Sequence, residues 1–176
     1  ANKPLATIDP TYTTAEQTAR EMGVGIRRVP VDGSNMGVDL DGLAKAAVGA
    51  GMVYFCNPNN PTGTVHSPAA VESFVRRVQR ESPNTRMLID EAYINYAADE
   101  VMQTALPLAL EFENVFITRS FSKAHGMAGL RVGYALGQKQ TLDAITGAWG
   151  MGDLNMLSAI AAITAFKDKE HIEWER

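Results

Sequence analysis

Short apolar runs alternate along this chain with longer stretches in which apolar positions recur every three or four residues. The short runs predict strands at 5–9, 25–31, 52–56, 87–90, 115–118 and 131–136, and the longer ones predict helices at 14–22, 40–48, 68–81, 138–147 and 156–166. Ser67 followed by Pro68 is a strong helix opening: a hydroxyl to cap a free N–H, then proline where no N–H is needed. Thr13, Asp39 and Asn155 are further cap candidates. Strands that alternate with helices argue for βαβ units, so the expected architecture is α/β, a mainly parallel sheet sandwiched by helices. The segment Met52-Val53-Tyr54-Phe55-Cys56 is apolar throughout, as a strand covered on both faces should be.

Composition narrows the classes. With 176 residues, 45% hydrophobic and 20% charged, the chain suits one domain with a sizeable core and would be a tight fit for two. A net charge of −4 without a basic block argues against a nucleic-acid partner. Apolar runs fall far short of the roughly 20 residues a membrane span needs. The single Cys56 excludes an internal disulfide framework and fits a reducing, cytoplasmic compartment. Cys56, His66 and His171 show no metal-ligand spacing, and no metal is expected. The chain opens on Ala1-Asn2-Lys3-Pro4 with neither initiator Met nor signal-peptide pattern, and residues 167–176 form a charged helical pattern with no stop signal. Both ends read as cuts, so a fragment is expected.

The unusual polar residues fall where strands end. Asp9-Pro10-Thr11-Tyr12 closes the first strand and Asn57-Pro58-Asn59-Asn60-Pro61-Thr62-Gly63 follows the third. Asp90-Glu91-Ala92-Tyr93 closes the fourth, and Arg119-Ser120-Phe121-Ser122-Lys123 follows the fifth. In open α/β sheets the ligand crevice lies at the carboxyl ends of the strands. Parallel strands would therefore gather Tyr12, Asn60, Asp90, Tyr93, Ser120 and Lys123. With Arg131, they offer an amine, a carboxylate, two phenols, a carboxamide, hydroxyls and a guanidinium. Taken singly, each has a plainer reading: Lys123 with Asp90 as an ion pair, Tyr12 as core, Arg131 as a surface residue opening a strand, Asn57–Gly63 as a proline-rich turn. His125 reads as packing. Residues 87–91 could be a nucleotide-binding strand end, but no Gly-x-x-x-x-Gly-Lys-Ser/Thr loop is present. Ser120-Phe121-Ser122-Lys123 matches Ser-x-x-Lys of penicillin-recognising acyl-enzymes, whose Ser-Asp-Asn and Lys-Thr-Gly partners are absent.

Three of these segments in order resemble the core motifs of class I/II, fold-type-I pyridoxal-phosphate-dependent aminotransferases: Asn60-Pro61-Thr62-Gly63, Asp90-Glu91-Ala92-Tyr93, and the run from Ser120 to Tyr134. Asn59-Asn60-Pro61-Thr62-Gly63 with Ala128-Gly129-Leu130-Arg131 is most similar to the histidinol-phosphate aminotransferase-like subgroup. The resemblance implies pyridoxal 5'-phosphate as cofactor and transfer of an amino group between an amino acid, or an amino alcohol phosphate such as histidinol phosphate, and a 2-oxo acid. It implies Lys123 as the Schiff-base lysine, whose amine must be unprotonated to attack an aldehyde, a form that burial or nearby positive charge favours. It further implies Asp90 against the pyridine nitrogen, Tyr93 and Asn60 on the phenolic oxygen, Ser120, Ser122 and Arg131 as the phosphate cup, and Tyr12 stacked on the ring.

By the same resemblance, residues 1–150 form the cofactor-binding large domain without its usual N-terminal part, and 151–176 begin the helix leading to a small domain. The strand at 131–136 should run antiparallel at a sheet edge, and the complete protein should be a homodimer. On its own a chain of this length should transaminate weakly or not at all. Decarboxylase or lyase chemistry on the same scaffold, and a cofactor-binding sensor domain without activity, share these motifs.

Overall fold

The computed structural model describes residues 3–149 and 154–175. Its elements in chain order are β1 (Leu5–Asp9), α1 (Thr14–Glu21), β2 (Ile26–Pro30), α2 (Leu40–Ala47), β3 (Met52–Cys56), α3 (Pro68–Glu81), β4 (Arg86–Asp90), α4 (Leu106–Glu111), β5 (Val115–Ser120), β6 (Gly133–Gly137), α5 (Lys139–Trp149), α6 (Met156–Lys167) and α7 (Lys169–Glu175). Single 3₁₀ turns occupy Ile94–Tyr96 and Ala128–Leu130. The expected domain boundary at 150/151 lies outside the described residues. No helix among the described residues is long and apolar enough to cross a membrane.

Among the described residues the strands form one sheet in the order β2-β1-β3-β4-β5-β6. Pairings from β2 through β5 are parallel, and β6 joins β5 antiparallel at the edge. The chain steps from β1 outward to β2, then returns to the other side of β1 for β3. That reversal is the switch point at which the loops leaving β1 and β3 diverge and open a crevice.

Side chains alternate across the sheet, and the two faces are covered unequally. Ala6, Ile8, Val53, Phe55, Met87, Ile89, Val115 and Ile117 point to one side, where α2, α3 and α4 close a continuous core. In α3 the apolar residues Val71, Phe74, Val75 and Val78 fall at helical spacing and are all buried in that core. Its start follows the sequence closely, for Ser67 accepts a hydrogen bond from the Ala70 N–H at 3.3 Å ahead of Pro68. The opposite face carries Leu5, Met52, Tyr54, Cys56 and Leu88, with α1 over the β1 side and α5 against β5 and β6. On this second face the strand ends present Cys56, Asp90 and Thr118 side by side in register.

The strand expected from 131 begins at Gly133 instead. Arg131 closes the preceding turn in the left-handed region (φ 52°), and its guanidinium donates back to the Ala128 carbonyl at 2.9 Å. Gly133 lies against the Arg119 carbonyl, where a Cβ would come within 2.9 Å, so the new strand starts where a side chain is not tolerated.

Candidate active site

Asp90 ends β4 on the thinly covered face, and the chain's own donors fix its carboxylate. Tyr54 Oη donates to Oδ2 at 2.8 Å; Thr118 Oγ1 donates to Oδ1 at 3.2 Å and the Ala92 N–H to the same oxygen at 3.1 Å. Tyr54 is 3% exposed. Burial, with the negative charge of Asp90 in addition, pushes its phenol far above the ordinary range, so it stays a donor at any working pH. Burial likewise pushes the Cys56 thiol up to about 12, Asp90 adding to the effect, and the Sγ donates to the Pro58 carbonyl at 3.1 Å. Cys56 is an inert neutral thiol.

The loops at the switch point are tied together by buried Asn59. Its Oδ1 accepts from Thr11 Oγ1 at 2.7 Å, and its Nδ2 donates to the Pro10 carbonyl at 3.1 Å and to Thr62 Oγ1 at 2.9 Å. That brace seats the segment carrying Tyr12 against the segment carrying Asn60. Asn60 Nδ2 in turn donates to Tyr93 Oη at 3.2 Å. Tyr12 is 48% exposed, so it belongs to the rim of a cavity and not to the core.

Lys123 lies beyond β5, half-buried, with Nζ 5.0 Å from the centre of the Tyr93 ring. Tyr93 holds its pKa above the ordinary lysine value, against a smaller opposing effect of burial. Burial or nearby positive charge would favour the neutral amine, and the structure surrounds Lys123 differently. The neighbours are phenols that stabilise the ammonium, and the nearby Arg131 guanidinium is turned to its own turn's carbonyl. Ser120 Oγ accepts the Ser122 N–H at 2.9 Å and keeps its own proton to donate.

Tyr12, Asp90, Tyr93, Ser120, Ser122, Lys123 and Arg131 line one cavity of about 270 Å³. Asn60 lines the adjoining cavity of about 590 Å³, with Tyr93 in the shared wall. All eight residues singled out from sequence are therefore gathered at one edge of the sheet. His125 packs its ring 4.7 Å from Phe121, with its pKa lowered by burial. Among the described residues, no three His, Cys, Asp or Glu side chains are grouped to hold a metal ion.

Sequence reasoning missed three participants. Tyr54 and Thr118 read as ordinary strand residues, although strand alternation puts both on the face of Asp90. Glu91 was passed over beside Asp90. Its side chain points to the larger core, fully buried, and accepts from Arg119 at 2.9 Å, from Thr104 Oγ1 at 2.9 Å and from the Ala105 N–H at 2.6 Å.

The family model for aminotransferase class I and II matches residues 2–175. Histidinol-phosphate aminotransferase of Limosilactobacillus fermentum is 37% identical over 166 residues, which are 93% of this chain and 45% of that protein. The crystal structure of histidinol-phosphate aminotransferase from Sinorhizobium meliloti in complex with pyridoxal-5'-phosphate is 30% identical. It superposes with a TM-score of 0.86 over 99% of this chain and 46% of that one. A putative histidinol-phosphate aminotransferase from Erwinia carotovora atroseptica is 28% identical with a TM-score of 0.88, over 98% of this chain and 50% of that one. The chain thus spans about half the length of these relatives.

Proposed function

The chain belongs to the class I and II aminotransferases, and from that premise we propose that it carries the pyridoxal-phosphate site of an enzyme that moves an amino group between an amino acid and a 2-oxo acid. The observation that carries the reading is the single cavity that Lys123 shares with a fixed carboxylate, two phenols and a cluster of hydroxyl and guanidinium donors. An amino alcohol phosphate such as histidinol phosphate is the proposed amino donor, supported by the names of the relatives at 37% and 30% identity. For the complete protein we propose a cytoplasmic homodimer. Within it, residues 1–150 serve as the cofactor-binding domain and 151–176 open the helix toward a second domain.

The donor set fits the cofactor. Asp90, an acceptor with its position fixed by three hydrogen bonds, would face the ring nitrogen. Tyr93 and Asn60, already bonded to each other, would donate to the phenolic oxygen. Ser120, Ser122 and Arg131 would hold the phosphate, Arg131 by releasing the Ala128 carbonyl for a charge-assisted pair. Tyr12 would cover the ring from the rim. The cofactor supplies the aldehyde and an electron sink for bonds broken at the substrate's α-carbon. Lys123 would provide the amine that holds the cofactor. With its amine free, Lys123 would be the base placed to take a proton from the substrate's α-carbon. Its phenolic neighbours stabilise the ammonium form, the state it holds after taking that proton.

The test is chemical trapping. Adding pyridoxal phosphate, reducing with borohydride and mapping the peptides should leave a pyridoxyl group on Lys123 and none in Lys123→Ala. A colourless mixture, or labelling of another lysine, overturns the reading. Product analysis of the complete protein with and without a 2-oxo acid separates amino transfer from decarboxylation.

A further inference from the structure

Beneath the proposed cofactor seat lies a buried phenol to which the mechanism above gives no task. Tyr54 is in the middle of β3, and its hydroxyl is committed to Asp90 Oδ2 at 2.8 Å. A phenylalanine would fill the same space on a strand that is otherwise apolar, and a buried hydroxyl is costly unless it is bonded. The arrangement of donors shows what the hydroxyl does. A carboxylate offers about four acceptor sites, two on each oxygen. Oδ1 has both filled, by Thr118 at 3.2 Å and by the Ala92 N–H at 3.1 Å. Oδ2 has one filled, by Tyr54. A single acceptor site remains, on Oδ2, while Asp90 itself lines the cavity that holds Lys123.

We propose that Tyr54 is a positioning residue acting through Asp90: its hydroxyl takes one lone pair of Oδ2 and holds the other aimed at a single N–H donor in the cavity. The inference rests on the proposed pyridoxal-phosphate site and assigns its ring nitrogen, in the protonated form, as that donor. An opposite charge held in contact favours the protonated form of such a nitrogen. Without the Tyr54 hydroxyl, the orientation of Asp90 loses one of three restraints and its contact with the nitrogen loosens.

The experiment reads the nitrogen directly. Pyridoxal phosphate labelled with ¹⁵N in the ring is bound to the parent chain, to Tyr54→Phe, and to a chain in which 3-fluorotyrosine replaces Tyr54, a more acidic phenol and stronger donor of nearly the same shape. Circular dichroism checks that each is folded, and borohydride trapping is run in parallel. The expected result is a ¹⁵N resonance displaced toward the unprotonated value in Tyr54→Phe and in the opposite sense with 3-fluorotyrosine. Cofactor affinity in Tyr54→Phe should weaken by about tenfold, while Lys123 is still trapped in all three. Unchanged resonance in both replaced chains, with Lys123 trapped as before, overturns the inference and leaves the proposed site standing. A parent chain in which Lys123 is not trapped overturns the site itself and this inference with it.

Discussion

Asp90 and Glu91 are neighbours in sequence whose side chains leave opposite faces of the sheet, and their surroundings set opposite tasks. Asp90 keeps an acceptor open to a cavity, whereas Glu91 is sealed in and paired with Arg119, whose side chain is 23% exposed. A buried carboxylate stripped of its partner is strongly destabilising, so Arg119→Met should cost about 3–5 kcal/mol in urea unfolding. A loss below about 1 kcal/mol would show that Thr104 and the Ala105 amide suffice. Lys123 supports a prediction of the opposite kind, one about reactivity. Its raised pKa keeps the amine protonated well above neutral pH, so labelling of Lys123 by trinitrobenzenesulfonate in the cofactor-free chain should climb about tenfold per pH unit from neutral toward the amine's pKa. Tyr93→Phe removes the largest cause of the elevation, lowers the pKa, and should speed labelling at pH 8. Slower or equal labelling there would show that Tyr93 does not hold the proton.

Elements are joined at their surfaces by bonds of more modest strength, of which the clip between α1 and β2 is the clearest. Glu16 on α1 takes Arg28 of β2 at 2.5 Å and Arg20 of its own helix at 2.6 Å, and these bonds hold its carboxyl at about 2. A carboxyl depressed from 4.5 stabilises the fold above that value and loses the contribution as pH falls toward 2. Both arginines are well exposed, at 63% and 36%, so the clip contributes about 1 kcal/mol or less. Glu16→Gln should fall below the parent by that amount at neutral pH and match it near pH 2, as read by unfolding at several pH values. The elements themselves were largely legible, because each long one repeats its period several times: β1, β3 and α3 lie where the alternation of apolar residues put them. Helix α4 was not legible. Leu106-Pro107-Leu108-Ala109-Leu110-Glu111 is too short to repeat a helical period, has no side-chain cap, and reads as an apolar loop around a proline. At the site the same logic holds. Asp90, Lys123 and Asn60 announce themselves as polar residues where apolar strands end, while Tyr54 and Thr118 sit within strands and gain meaning only from the register that brings them to Asp90.

At the scale of the molecule, the sheet has one deep face and one shallow face, and Asp90 of the candidate site belongs to the shallow one. Over the deep face three helices bury a continuous core that draws on residues from Ala6 to Ile117. Over the other, α1 and α5 stand apart, and between them Leu5, Ala19, Met52, Leu88, Phe116 and Ile145 line a cavity of about 530 Å³. Stability should therefore be distributed by face and not by position along a strand, and adjacent residues of β4 put that to the test. Ile89 is 1% exposed within the deep core. Truncating it to alanine removes methyl groups from a site with no room to collapse, and should cost about 2–5 kcal/mol. Leu88 lies one residue earlier, points into the open cavity, and already lacks neighbours on one side. Leu88→Ala should cost less than half as much in the same urea titration, since little close packing is there to lose. Equal costs would mean that the shallow face is as tightly packed as the deep one. The predicted inequality has a bearing on chemistry: the strands are anchored from one side by a rigid core, which leaves their other side, and the carboxylate at the end of β4, open to a ligand.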